Sequence, residues 1–349
     1  MNNKYLLSEI KLSLTGTFLL SSFIFVLANP KLCSEGVLEG IKLAGGFLVP
    51  SLYFQIIISN MIFSSGFLSR IPFINRKREI IILGLIGGYT VGSVLTSRAL
   101  EEGSISEKDA KALGYSFLCG GPAFIIGGIG YKLLTNVWVG VIIYLSSAIS
   151  QLIIYFLQKK DKEHSRTATS RMTFSEALVS SVNRSTASLI SLSGFVVLFS
   201  AMSYIFINSS SIQGKAFGCD ISRLISYFFE ATFAGTDIVN TRANNAAELI
   251  TFFVTFGGLS LHMQVFSFLN KLKLNFFKFI ILKLSASFLS VIVCALLLKL
   301  FPVSVETLSS GTAVSAVYAN IPASFFLIIF SAYLLFKSEK FSLKRKSFH

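Results

Sequence analysis

The chain has 349 residues, 53% hydrophobic and only 14% charged, whereas a soluble domain keeps about a quarter of its residues charged. That composition excludes an ordinary soluble domain, and apolar runs of about 20 residues without alternation exclude a membrane β-barrel. The net charge of +14 sits in short loops between apolar runs, so it reports membrane topology rather than a nucleic-acid partner.

Lipid offers no hydrogen bonds to the backbone, so the apolar runs must be helices. The sequence predicts an all-α polytopic membrane protein with about eight transmembrane helices, near 12–28, 43–68, 112–133, 138–157, 188–207, 247–269, 277–300 and 312–336. Residues 12–28 read as an uncleaved helix, because Asn29-Pro30-Lys31-Leu32 is a poor signal-peptide cleavage context. Segments 80–100 and 221–243 are too rich in Gly and polar residues for clean spans and read as re-entrant hairpins. With cytoplasmic N- and C-termini, 23 of the 31 Lys and Arg fall inside and seven outside, with Lys283 left within a span. The positive-inside bias holds only if both hairpins enter and leave on one side. Lys283 is expected to snorkel to the inner surface.

The order span, hairpin, broken span, span then occurs twice with opposite direction. This is an inverted-topology repeat, which places a site near the midplane. The domains are a peripheral helix in 1–35, a first repeat in 36–157 (hairpin 80–100, broken helix 107–133) and a basic cytoplasmic loop in 158–187. A second repeat follows in 188–300 (hairpin 221–243, broken helix 247–269), then a last helix and basic tail in 301–349.

Candidate substrate-binding residues lie at the four interruptions. Hairpin one offers Gly87, Gly88, Tyr89, Thr90 and Gly92. Gly84, Gly88 and Gly92 also form a small-residue stripe that close helix packing would explain. After Ser106 and Asp109, which read as a capping pair, the first broken helix carries Cys119, Gly120, Gly121, Pro122 and Phe124. Proline after two glycines breaks a helix and turns the N-terminus of its second half into the membrane. Hairpin two offers Glu230, Thr232 and Gly235. A carboxylate at membrane depth points to function, unless it is an interfacial residue near Arg223. The second broken helix carries Gly257, Gly258, Ser260, His262 and Gln264. His262 is also able to titrate near neutral pH. The four cysteines are scattered and match no metal or disulfide pattern. No catalytic constellation or Walker motif is present, so neither an enzyme nor a cofactor is expected.

These segments, in this order, resemble sporulation integral membrane proteins of the YlbJ (SpoVV) type, within the nucleoside-recognition (Gate) group. The resemblance covers residues 36–300. It is carried by Pro50-Ser51-Leu52-Tyr53-Phe54, Gly87-Gly88-Tyr89-Thr90-Val91-Gly92, Gly120-Gly121-Pro122-Ala123-Phe124, Glu230-Ala231-Thr232-Phe233-Ala234-Gly235 and Gly257-Gly258-Leu259-Ser260-Leu261-His262-Met263-Gln264. The family tends to have Asn, Ser and Pro where this chain has Leu118, Gly120 and Thr90.

The resemblance implies a secondary transporter that moves dipicolinic acid, a small planar dicarboxylate, across the outer forespore membrane by alternating access. Half-helix N-termini suit carboxylates, Tyr89 and Phe124 offer rings for stacking, and Arg98 and Arg223 flank the hairpins where they would attract an anion or simply anchor the interface. The expected partners are the lipid bilayer and an anionic small molecule, with H+ or Na+ as coupling ion and a homo-oligomer left open. The alternatives are a transporter of a nucleoside-like or other neutral solute, and a non-transporting membrane scaffold of spore assembly.

Overall fold

The computed structural model describes residues 3–68, 71, 73–116, 119–158, 173–208, 215–216, 219–240 and 245–301. The expected span 312–336, the basic tail, most of the basic loop, residues 241–243 and the Phe117-Leu118 pair lie outside them. The regular structure of the described residues is all-helical apart from one two-residue antiparallel pair, Lys215–Ala216 (β1) with Cys219–Asp220 (β2).

In chain order come α1 (Asn3–Ala28), α2 (Pro30–Leu43), a π-helical turn Ala44–Leu48, α3 (Val49–Ser65), α4 (Arg76–Glu101) and α5 (Glu107–Ser116). A π-helix Ala123–Leu133, α6 (Val137–Leu157) and α7 (Phe174–Asn208) follow. The last described elements are α8 (Ile221–Phe229), α9 (Ala231–Asn240), α10 (Ala246–Phe256), α11 (Gly258–Phe268) and α12 (Phe276–Leu300). Among the described residues, by length and composition, five helical stretches are able to cross a membrane, or six if the pair bent by 97° at Asn29 is one span.

The helices are built inside out. α12 exposes Phe277, Ile281, Phe288 and Ile292 and buries Lys283, Ser287, Ser290 and Cys294. α6 exposes Trp138, Leu145 and Phe156 and buries Ser146, Ser147, Ser150 and Gln151. Water would favour the reverse. Lipid favours this arrangement, because apolar side chains cost nothing outside and small polar ones bond across helices. The chain is therefore a polytopic helical membrane protein.

Two of the elements fold back on themselves. α4 is long and apolar enough to be a span, and a straight helix of its length would be about 39 Å long. Yet Arg76, its first residue, bonds Glu102, just past its last, at 3.0 Å. The turn is at Gly88, with φ 79° and ψ −168°, a region essentially restricted to glycine. In the same way Arg223 on α8 meets Asp237 on α9 at 3.7 Å, and the Tyr227 hydroxyl donates to Asp237 at 2.6 Å. A continuous helix would hold residues 223 and 237 about 21 Å apart. Glu230, extended at φ −141° and ψ 113°, makes that turn.

Two spans are interrupted. α5 stops at Ser116 and helix resumes only after Pro122. α10 ends on Gly257 at φ 89°, and Gly258 follows at φ 72°.

α7 begins earlier than the expected 188. Thr173 and Glu176 cap it reciprocally, with Glu176 N on Thr173 Oγ1 at 3.4 Å and Thr173 N on Glu176 Oε2 at 2.9 Å. That capping box, Thr-x-x-Glu, was legible but fell inside the residues read as loop. The fourth turn of α7 packs against α3. Asn60 Nδ2 donates to Ser185 Oγ at 3.0 Å, and the Tyr53 and Thr186 hydroxyls are 3.3 Å apart. α6 packs on α12 in the same manner, where Lys283 Nζ donates to Gln151 Oε1 at 3.0 Å.

Candidate functional site

The two fold-back tips and the two breaks meet in one buried junction. A Cβ on Gly88 would stand 2.7 Å from Gly121 N, and one on Gly121 would stand 3.3 Å from Ile86 O. A Cβ on Gly258 would stand 2.9 Å from Phe229 O and 3.1 Å from Ala231 N. Only glycine permits backbone to touch backbone at these points. Each tip is thus seated on the break of its own half.

Tyr89 ties the halves together. Its hydroxyl is shared between Val254 O at 3.0 Å and Thr255 O at 2.9 Å. Those carbonyls lie in the last turn of α10, where the break removes their helical donors. The next residue, Thr90, accepts from Gln264 Nε2 on α11 at 3.2 Å. The Tyr89 hydroxyl is committed to the fold.

Lys283 corrects the expectation that it snorkels to the inner surface. It is 1% exposed, and its ammonium lies 5.2 Å from the centroid of the Tyr89 ring and 5.8 Å from that of Phe279. Gln151 relays it to the second break by donating to Thr255 O at 3.4 Å. The missed signal was periodic. Lys283, Ser287, Ser290 and Cys294 recur on one helical face, and a Lys on a buried polar stripe faces the bundle, not the surface.

Glu230 sits at the tip of hairpin two, 2% exposed. Its Oε1 accepts from Thr232 N at 3.2 Å and Thr232 Oγ1 at 3.0 Å. Its Oε2 and Ser260 Oγ make no hydrogen bond of normal geometry, but the Ser260 hydroxyl on α11 lies close enough to the carboxyl to reach it. Arg223 does not reach Glu230 but pairs with Asp220 and Asp237. Arg98, the other cation expected to draw an anion, is buried between Glu102 Oε1 at 2.7 Å and Ser64 Oγ at 2.7 Å.

His262 is fully buried between the rings of Phe256 and Phe279, at 4.6 and 5.0 Å between centroids, with Nε2 2.7 Å from Phe256 O. Its Nδ1 has no hydrogen-bond partner. Cys119 Sγ lies 3.4 Å from Ser147 Oγ.

The junction therefore gathers Gly87, Gly88, Tyr89, Thr90, Cys119, Gly120, Gly121 and Pro122 with Glu230, Thr232, Gly257, Gly258, Ser260, His262 and Gln264. Phe124, two residues after Pro122, is buried against the first break, its ring 3.7 Å from where a Cβ on Gly120 would stand. Gly92 and Gly235 stand apart. The Gly92 carbonyl accepts from Thr96 Oγ1 at 2.6 Å, and the nearest neighbour to a Cβ on Gly235 would be Leu133, 3.7 Å away. Sequence reasoning missed Lys283, Gln151, Thr255 and Gln55. The Gln55 side-chain amide donates to Ile86 O at the first tip.

Fold and composition thus define a polytopic α-helical membrane protein with a closed, polar junction at its centre. No family model matches the chain, and no solved structure matches it. It is similar to the sporulation integral membrane protein YlbJ of Bacillus subtilis (strain 168), 22% identical over 328 residues that cover 80% of each chain.

Proposed function

We propose that this protein is a secondary transporter of a small organic anion, dipicolinic acid in a sporulating cell. It works by alternating access through two inverted repeats, 36–157 and 188–300, and belongs to the nucleoside-recognition (Gate) group. The observation that carries the proposal is the convergence of two fold-back tips and two helix breaks on one buried polar junction. A rigid scaffold has no use for broken helices and unpartnered buried groups, each of which costs stability, whereas a transporter needs both at its binding point.

Lys283 and the helix N-termini that begin at Pro122 and Gly258 give the junction positive potential, which favours an anion over a nucleoside-like solute. The distant likeness to a sporulation protein supports the outer forespore membrane as the location. In the closed arrangement the tips touch the breaks, so a solute enters when a hairpin separates from its break.

The reading is tested by equilibrium binding of radiolabelled dipicolinate to the purified full chain, with nucleosides and a pyridine monocarboxylate as competitors. Saturable binding that only dicarboxylates displace supports it. Displacement by nucleosides instead moves the assignment to a neutral solute, and absence of binding to folded protein contradicts it.

A further inference from the structure

We infer that the Glu230 carboxyl and the Ser260 hydroxyl form the coupling-ion site of this protein, and that the ion is a proton carried at Glu230 Oε2. The inference rests on the transport reading above and names the ion that drives it.

Burial comes first. Glu230 is 2% and Ser260 1% exposed. An ionised carboxylate in such a place needs a counter-charge, or it is strongly disfavoured against the neutral acid. Among the described residues no charged side chain pairs with Glu230. On its own hairpin, Arg223 is turned to Asp220 and Asp237, and the Tyr227 hydroxyl also serves Asp237. The elements packed on the hairpin carry Tyr204 on α7, Tyr131 and Lys132 on the π-helix, Glu248 on α10 and His262 on α11, and none of them bonds or pairs with Glu230. Its contacts are Thr232 and the adjacent Ser260.

The donor count then separates a proton from a metal cation. A hard cation takes roughly six oxygen ligands. The side-chain oxygens without another partner here are two, Glu230 Oε2 and Ser260 Oγ, and they lie within reach of each other. Three neighbouring backbone oxygens already accept a hydrogen bond. Glu230 O accepts from Ala234 N at 3.3 Å, Ser226 O accepts from Glu230 N at 3.0 Å, and Phe256 O is bonded by His262. Two oxygens hold one proton well. A neutral Glu230 can present an O–H to Ser260 Oγ, and an ionised one can accept from the Ser260 hydroxyl, so the pair is able to hold the group in both states of the cycle.

The step is a simple proton transfer. On the loading side water delivers a proton to Oε2, and the carboxylate becomes the neutral acid. On the release side the proton returns to water and the carboxylate re-forms. The coupling is electrostatic, because an anionic solute at the junction is repelled by ionised Glu230 and tolerated by the neutral acid.

The test is infrared difference spectroscopy of the purified full chain without any solute, comparing the protein with Glu230→Gln, Asp237→Asn and Ser260→Ala. The expected result is a protonated-carboxyl C=O band at neutral pH. It should be absent from Glu230→Gln, retained in Asp237→Asn, shifted in Ser260→Ala, lost on raising the pH, and unchanged when sodium chloride replaces choline chloride. If Glu230→Gln does not fold, the shift in Ser260→Ala makes the assignment. No such band at neutral pH overturns the inference, as does a Glu230 carboxylate signal that responds to sodium and not to choline. Because no solute is present, the two readings fail separately. The band without dipicolinate binding sinks the substrate, and dipicolinate binding without the band sinks the proton site.

Discussion

Arg76 and Glu102, at opposite ends of one 26-residue helical stretch, are bonded at 3.0 Å. That contact places both ends of the segment together, so α4 is folded back although its length and hydropathy suit a span, and a folded-back segment in a bilayer is expected to enter and leave on one side. Cysteines in place of the exposed Arg78 and Glu101, in a background lacking the native cysteines, should react with a membrane-impermeant maleimide from the same side. Labelling from opposite sides would make α4 a crossing helix.

The same contact belongs to a buried network. Arg76 also bonds Glu79 at 2.7 Å, with both side chains almost wholly buried, and its guanidinium lies 3.3 Å over the Phe63 ring. Removing one member of a buried ion pair leaves an uncompensated charge, at about 3–5 kcal/mol. Arg76→Ala should therefore lower the thermal unfolding midpoint in detergent far more than Lys42→Ala, whose pair with Glu39 is exposed and is worth roughly 0–1 kcal/mol.

Glycine at the junction is required for two separate reasons. Gly88 has positive φ and no room beside Gly121, whereas Gly127 has nothing within 4 Å of where a Cβ would stand. Gly88→Ala should destabilise by about 1–3 kcal/mol from backbone strain, with the clash added, and abolish transport. Gly127→Ala should be near neutral on both counts. Thermal unfolding and flux measured on the same preparations check this.

Tyr89→Phe keeps the ring and removes the hydroxyl that serves Val254 and Thr255. Leaving buried carbonyls short of a donor costs about 1–3 kcal/mol. The variant should fold, unfold at a lower temperature, and show faster amide exchange in residues 254–258. Unchanged exchange there would mean that hairpin one does not hold the second break.

Much of the frame was legible because its signals are local. Gly120-Gly121-Pro122 and Gly257-Gly258 break helices by backbone chemistry alone, and the charge bias required residues 80–100 to return to their own side. The functional contacts were less legible, since they join distant residues. Nothing near Tyr89 in the chain announces that its hydroxyl is used 165 residues away at Val254. Lys283 was misread because it was judged by distance from the helix start rather than by the face it shares with Ser287, Ser290 and Cys294. Hairpin 221–243 was read from its Gly and polar residues, but the position of its turn at Glu230 is visible only in three dimensions.

Lys283 also offers a direct test of charge at the junction. Lys283→Met preserves length and packing and removes the ammonium. The variant should stay folded, since a well-packed apolar residue often replaces a buried ionic group without loss, and should lose dipicolinate affinity by tenfold or more, taking about 1.4 kcal/mol or more of binding energy. Full affinity in Lys283→Met would remove Lys283 from the anion site.

The central claim is transport, and the most direct test is uptake of dipicolinic acid into proteoliposomes of the purified chain, beside empty liposomes and a Glu230→Ala variant, under inward proton and sodium gradients applied separately. The account predicts accumulation above the empty control, driven by the proton gradient and lost in the variant. Folded protein that moves no dipicolinate under either gradient would contradict it.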